Sequence, residues 1–154
     1  MISTEKIVLL IEDDPADARL IQRAFEKALV GVRVTRLPNG DEAVAYLSGE
    51  TPFDNRNSYP LPAVILLDIK LPRRSGFEIL RWLRSRKDGL QRIPVVMLTS
   101  SRHSVDVDRA YDLGANSYLT KPDNNDQLTK MLAAFDRYWM SFNEHPSLGV
   151  SRNG

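Results

Sequence analysis

Four short stretches of this 154-residue chain carry residue types that could do chemistry. Glu12, Asp13 and Asp14 follow the apolar run IVLLI (7–11). Asp68 follows AVILL (63–67), Thr99 and Ser100 follow PVVML (94–98), and Lys121 with Pro122 closes SYLTK (117–121). Acids brought this close repel one another, and ionising all of them needs a counter-charge. A hard cation taking oxygen ligands supplies it, and Mg²⁺ suits a site of one or two direct carboxylates plus water. Lys121 offers a second, movable positive charge and Thr99 a hydroxyl donor. A carboxylate, a metal, an ammonium and a hydroxyl in one cavity describe phosphoryl transfer, where catalysis is mostly positioning and charge neutralisation. Asp68 is the candidate nucleophile, since carboxylates form aspartyl phosphates. Asp14 stands immediately before Pro15 and reads as a helix cap, outside the metal site. Taken singly, Glu12 and Asp13 could be loop acids and Thr99 a strand former. Together with Asp68 and Lys121 the functional reading prevails.

These groups converge only if the segments before them are strands of one sheet. The runs at 7–11, 63–67 and 94–98 are short, unbroken and rich in Val and Ile, as expected of strands buried on both faces. VRVTRL (32–37) and SYLTK mix polar and apolar residues and belong at sheet edges. Helical patterns lie between. The first starts at Asp14-Pro15, has Asp17 in its first turn, and places Ile21, Ala24, Phe25 and Ala28 on one face. A second spans Asp41–Leu47 after the turn pair Asn39-Gly40. A third opens on Ser75-Gly76-Phe77-Glu78, a capping-box pattern, and carries Ile79, Leu80, Trp82 and Leu83. A fourth starts after Ser104 and stops at Gly114. The last carries Leu128, Met131, Leu132, Phe135, Tyr138, Trp139 and Phe142, and residues 143–154 read as a frayed tail. Strand–helix alternation predicts an α/β parallel five-stranded sheet of order 2-1-3-4-5. Ligands of such sheets bind beyond the carboxyl ends of the strands, where the acids, Thr99 and Lys121 stand. Ser48–Pro62 is longer than a usual connection, and is either a functional loop or a tolerated insertion.

Composition narrows the class. The net charge is +1, so no global field draws the chain to nucleic acid or anionic lipid. There are no cysteines, which excludes disulfides, thiolate metal sites and cysteine nucleophiles and fits a cytoplasmic setting. No apolar run approaches membrane-spanning length, and MISTEK lacks a signal-peptide core. His103 and His145 lack metal-ligand spacing and read as surface residues. The stretch RRSGFEILRWLRSRK (73–87) has a core-like apolar face and a solvated charged face, which argues against a nucleic-acid patch.

IEDDP, LLDIKLPRRSG, MLTSS and SYLTKP, in this order at these strand ends, resemble the signatures of the receiver domain of two-component response regulators. The resemblance covers residues 5–142. It implies a flavodoxin-like (βα)5 three-layer sandwich and phosphorylation of Asp68 by a sensor histidine kinase. It also implies that Asp13 binds Mg²⁺ directly, Glu12 mainly through water, and that the backbone carbonyl of Lys70 completes the ligands. Thr99 and Lys121 would hold the phosphoryl oxygens, Tyr118 would be the switch aromatic, and Ser101 occupies a position that tunes hydrolysis. The family usually has a cis peptide here, at Lys121-Pro122. The EDDPADARL start and the Ser48–Pro62 insertion resemble the stand-alone regulators of cyanobacterial phytochrome kinases. Such a protein acts through changed protein–protein interactions and catalyses only its own phosphorylation and dephosphorylation.

Two other readings compete. A haloacid-dehalogenase-type phosphatase also uses a strand-end Asp, but it needs a second acid two residues on, where this chain has Lys70. A degenerate receiver serving as a constitutive interaction module would lack Asp68 or Lys121, and both are present. The aromatics of the last helix exceed one core stripe. They point to a protein-binding or dimer face, and the resemblance to receiver domains implies that a homodimer would use the surface of helix four, strand five and helix five.

Overall fold

The computed structural model describes residues 6–28 and 32–148. Five parallel strands form one sheet in the order β2-β1-β3-β4-β5, as predicted: β1 (Ile7–Ile11), β2 (Arg33–Leu37), β3 (Val64–Leu67), β4 (Val95–Thr99) and β5 (Ser117–Thr120). Every residue of β1, β3 and β4 is buried, whereas β2 and β5 are mostly half-buried edges. The unbroken apolar runs follow from this placement, because a strand covered on both faces offers a polar side chain no solvated face until its end, where Thr99 closes β4.

Strand alternation splits the core in two. Ile7, Leu9 and Ile11 face one layer, with Tyr46, Leu47, Phe77, Leu80 and Leu83. Val8 and Leu10 face the other, with Ile21, Phe25, Leu128, Leu132 and Phe135. The helices supplying these layers are α1 (Pro15–Ala28), α2 (Gly40–Ser48), α3 (Gly76–Arg84), α4 (Ser104–Asp112) and α5 (Asn125–Asp136). A short 3₁₀ turn, Leu90–Arg92, precedes β4, and α5 continues into a π-helical stretch, Arg137–Phe142.

Local chemistry sets where the helices start. Asp14 Oδ1 accepts from the Ala16 amide at 2.9 Å, which fulfils the expected cap on α1. The capping box on α3 is present, with the Glu78 amide on Ser75 Oγ at 3.2 Å and the Ser75 amide on Glu78 Oε1 at 3.3 Å. Gly76 opens that helix because a Cβ there would stand 2.2 Å from the Asp68 carbonyl oxygen. This close approach fixes the loop leaving β3 against the start of α3. The fourth helix differs slightly from expectation. It includes Ser104, His103 takes the cap position without a side-chain bond, and Ser101 Oγ instead donates to Asp106 Oδ2 at 2.6 Å.

Three expectations are corrected. The Lys121–Pro122 bond is trans, and the cis peptide among the described residues is Thr51–Pro52. Trans is the ordinary state of an X–Pro bond. Residues 143–148 are not a frayed tail. Leu148 packs against the core layer of α2 and α3, and the Ser147 carbonyl accepts from Arg92 Nη1 at 2.9 Å. Leu148, six residues beyond the helix, and the Arg92 bond together hold this segment down. Residues 149–154 lie outside the described residues. His145, in that segment, is half-buried rather than on the surface, while His103 is exposed.

The Ser48–Pro62 insertion is tied into the body. Arg56 donates from Nη1 to the carbonyls of Tyr46 (2.7 Å) and Tyr59 (3.2 Å), and from Nη2 to that of Leu47 (2.8 Å). The fully buried Tyr46 donates its hydroxyl to the Pro60 carbonyl at 2.8 Å, with the rings of Phe53 and Tyr59 packed around it.

Candidate functional site

The strands β1, β3 and β5 deliver Glu12, Asp68 and Lys121 to one point at their carboxyl ends. Glu12 is 1% exposed and Asp68 8%, so both carboxylates sit at the floor of the mouth rather than in solvent. Lys121 reaches across the sheet edge to them. Its Nζ donates to Glu12 Oε1 at 2.5 Å and to Asp68 Oδ2 at 3.1 Å. It also donates to Asp17 Oδ2 at 3.0 Å, on the first turn of α1. Asp17 was read from sequence only as a first-turn acid, part of the start signal of α1. Its place beside Lys121 follows from the entry angle of α1, which has no local sequence signal.

The backbone completes the arrangement. Asp68 Oδ1 accepts from the Ile69 amide at 2.7 Å, and Glu12 Oε2 accepts from the Asp14 amide at 3.2 Å. Each buried carboxylate thus has one oxygen held by the main chain and the other facing Lys121. Asp13 is exposed, yet one oxygen each from Glu12, Asp13 and Asp68 lie within 4.8 Å of one another. Three hard oxygen donors at this spacing fit a divalent cation of the Mg²⁺ type. Asp14, expected to be a cap only, is absent from this cluster.

Electrostatics match the geometry. Burial, reinforced by the charge on Asp68, pushes the Glu12 carboxyl up to about 7 against the hydrogen bond from Lys121. Burial opposes the charge on Lys121, but the carboxylates of Glu12, Asp68 and Asp17 outweigh it and hold the ammonium above its usual range. The ammonium is therefore charged at neutral pH and compensates part of the acid cluster.

Thr99 ends β4, 2% exposed, and its carbonyl accepts from the Lys121 amide at 2.8 Å. The Thr99 hydroxyl accepts from the Ser101 amide at 3.4 Å. Tyr118 lies on β5, half-buried, with its hydroxyl donating to the Ser101 carbonyl at 3.0 Å. The loop after β4 is therefore held from both sides, by Tyr118 on β5 and by Asp106 on α4. Lys70 is exposed and lines a depression with Ser100, Ser101, Arg102, His103 and Asp106. Sequence reasoning placed Glu12, Asp13, Asp68, Thr99 and Lys121 at strand ends correctly. It missed Asp17 and the Ser101–Asp106 bond.

Comparison with known proteins agrees with this geometry. The chain matches the response regulator receiver domain over residues 8–133. It is 38% identical over 135 residues to the response regulator Rcp1 of Synechocystis, spanning 88% of this chain and 89% of that protein. Among solved structures, the phosphorylated cyanobacterial phytochrome response regulator RcpA superimposes with a TM-score of 0.85 at 38% identity, covering 94% of this chain and 100% of that one. The Mn²⁺-bound form of Rcp1 superimposes at 0.82 with 37% identity, covering 92% and 99%. Strand order, the acid cluster fitted to a divalent cation and sequence similarity over most of its length agree: the chain belongs to the response regulator receiver domain family and is related to phytochrome response regulators.

Proposed function

We propose that this protein accepts a phosphoryl group on Asp68 from the phosphohistidine of a sensor histidine kinase of the phytochrome type. The observation that carries this reading is the pairing of a nearly buried Asp68 with Lys121 at 3.1 Å and with the carboxylates of Glu12 and Asp13 within 4.8 Å. A carboxylate oxygen of Asp68 attacks the phosphorus, a P–O bond forms, the P–N bond to the donor imidazole breaks, and its electron pair returns to the ring nitrogen. Glu12, Asp13, Asp68 and the Lys70 carbonyl would hold Mg²⁺, which when bound neutralises charge on the transferring group. Lys121 supplies an ammonium and Thr99 a hydroxyl for the phosphoryl oxygens. Water attack on the aspartyl phosphate later releases inorganic phosphate, so the protein catalyses only its own modification and has no separate substrate.

Phosphorylation shifts a population between two arrangements of the loop after β4. Thr99 moves toward the new oxygens, and Tyr118, bonded to that loop through Ser101, carries the change to the β5 edge. The readout surface is the face of α4, β5 and α5, used for a homodimer. Val105 (74%), Tyr111 (50%), Tyr138 (53%) and Phe142 (70%) are large apolar side chains exposed on α4 and at the end of α5. The setting is cytoplasmic, where such kinases present their phosphohistidine; no described helix is long and apolar enough to cross a membrane.

The test is direct. Incubation with acetyl phosphate and Mg²⁺, borohydride reduction and peptide mapping should label Asp68. Absence of label there refutes the proposal. Phosphotransfer profiling against histidine kinases, phytochrome types included, identifies the donor. Sedimentation with and without beryllofluoride tests the dimer, and a monomer under every condition rules it out.

A further inference from the structure

An ammonium has three N–H donors. On Lys121 all three point at carboxylates: Glu12 Oε1 at 2.5 Å, Asp17 Oδ2 at 3.0 Å and Asp68 Oδ2 at 3.1 Å. None is left for a phosphoryl oxygen. If Lys121 is to bond the group carried by Asp68, one of these bonds must open. Glu12 is a poor one to release. Its side chain is 2% exposed and its other oxygen is tied to the Asp14 amide, so little water can reach the bond it would lose. Asp68 is itself the residue modified. Asp17 differs from both. Its side chain is 39% exposed and stands on the rim, beside a cavity it lines with Ser100, Lys121 and Pro122, so water can replace the lost bond.

We infer that Asp17 is a positioning residue that holds the Lys121 ammonium toward α1 and competes with the phosphoryl group for it. The inference rests on Asp68 being the phosphoryl acceptor. Asp17 acts in two ways, and both have the same sign. It occupies a donor that the phosphoryl oxygen needs, and its negative charge repels the incoming anion. Removing the charge therefore favours the loaded state. The pair is partly solvated, and exposed ion pairs are weak, so the gain is about three- to fivefold in affinity.

The experiment is a calorimetric titration with beryllofluoride in saturating Mg²⁺. The wild-type chain, Asp17→Asn and Asp17→Glu are compared, each checked for an unchanged thermal midpoint. Asp17→Asn should bind about three- to fivefold more tightly and take up phosphoryl from acetyl phosphate correspondingly faster. Asp17→Glu, which keeps the charge within reach of Lys121, should return to the wild-type value. A role limited to helix stability would move the thermal midpoint and leave the affinity alone. A double-mutant cycle adds the decisive reading. With Lys121→Ala, Asp17→Asn should keep only the part of its effect that comes from charge repulsion, and an undiminished effect there overturns competition for the ammonium. Equal or weaker binding by Asp17→Asn, with wild-type binding intact, overturns the inference alone. No binding by the wild-type chain overturns the reading of Asp68 first.

Discussion

Lys121 and Arg84 are both cations carried into half-buried positions on the same molecule, and they are satisfied in opposite ways. Arg84, on the last turn of α3, donates to neutral acceptors: the carbonyls of Gly114 (2.9 Å), Gln91 (2.9 Å) and Ile93 (2.8 Å), and Asn116 Oδ1 (2.8 Å). Lys121 donates to three carboxylates. Burial lowers the Arg84 guanidinium with no acid to oppose it, whereas its acids raise Lys121. Carbonyls of fixed backbone cannot leave, so the Arg84 cluster is a staple joining α3 to the segments before β4 and β5. Carboxylates can be modified, protonated or coordinated, so the Lys121 cluster can change its partners. Arg56, which ties the insertion to α2 through the carbonyls of Tyr46, Leu47 and Tyr59, belongs with Arg84. The nature of the acceptor, more than burial of the cation, separates scaffold from chemistry here.

The contrast can be broken at either end. Asp68→Asn should abolish phosphoryl uptake from acetyl phosphate, read by intact mass, while the chain stays folded. An amide keeps the shape but is no nucleophile, and one negative charge leaves a crowded cluster. Arg84→Ala should do the reverse. Three half-buried carbonyls lose the Arg84 donor and Asn116 Oδ1 loses one of its two donors, keeping the Val95 amide, for a loss of about 2–4 kcal/mol in denaturant unfolding. Uptake per folded molecule should be unchanged.

The acid cluster also predicts a pH dependence. Burial holds the Glu12 carboxyl at about 7, above its ordinary value, so the metal-free site keeps that proton up to neutral pH. A bound cation favours the ionised form and expels the proton. Apparent Mg²⁺ affinity should therefore weaken as pH falls below about 7, approaching about tenfold per pH unit for one proton, in calorimetric titrations at successive pH values. Affinity that stays flat down to about pH 5 would show an unperturbed carboxylate. The smallest effect belongs to the switch loop. Tyr118→Phe removes one hydroxyl bond to the Ser101 carbonyl, costing about 0.5–1.5 kcal/mol, and should leave phosphoryl uptake intact while uncoupling it from dimer assembly. Sedimentation of the mutant with beryllofluoride checks this.

The sequence by itself determined the sheet and the strand-end chemistry. A strand buried on both faces must be apolar up to its end, so β1, β3 and β4 announce themselves. The first polar residue after each, Glu12, Asp68 and Ser100 following the strand-final Thr99, must then lie at the mouth. The caps at Asp14 and Ser75 were legible because a cap acts within three residues. Tertiary structure alone decided the rest. Asp17 meets Lys121 across 104 residues, Arg84 finds Asn116 across 32, and Arg92 finds Ser147 across 55. The segment 143–148 looks polar and free in sequence, yet it is held by Leu148 on the core and by Arg92. Local pattern reports which face of an element is covered. It carries no record of the angle at which two elements meet, and that angle chooses which of several exposed acids a lysine can reach.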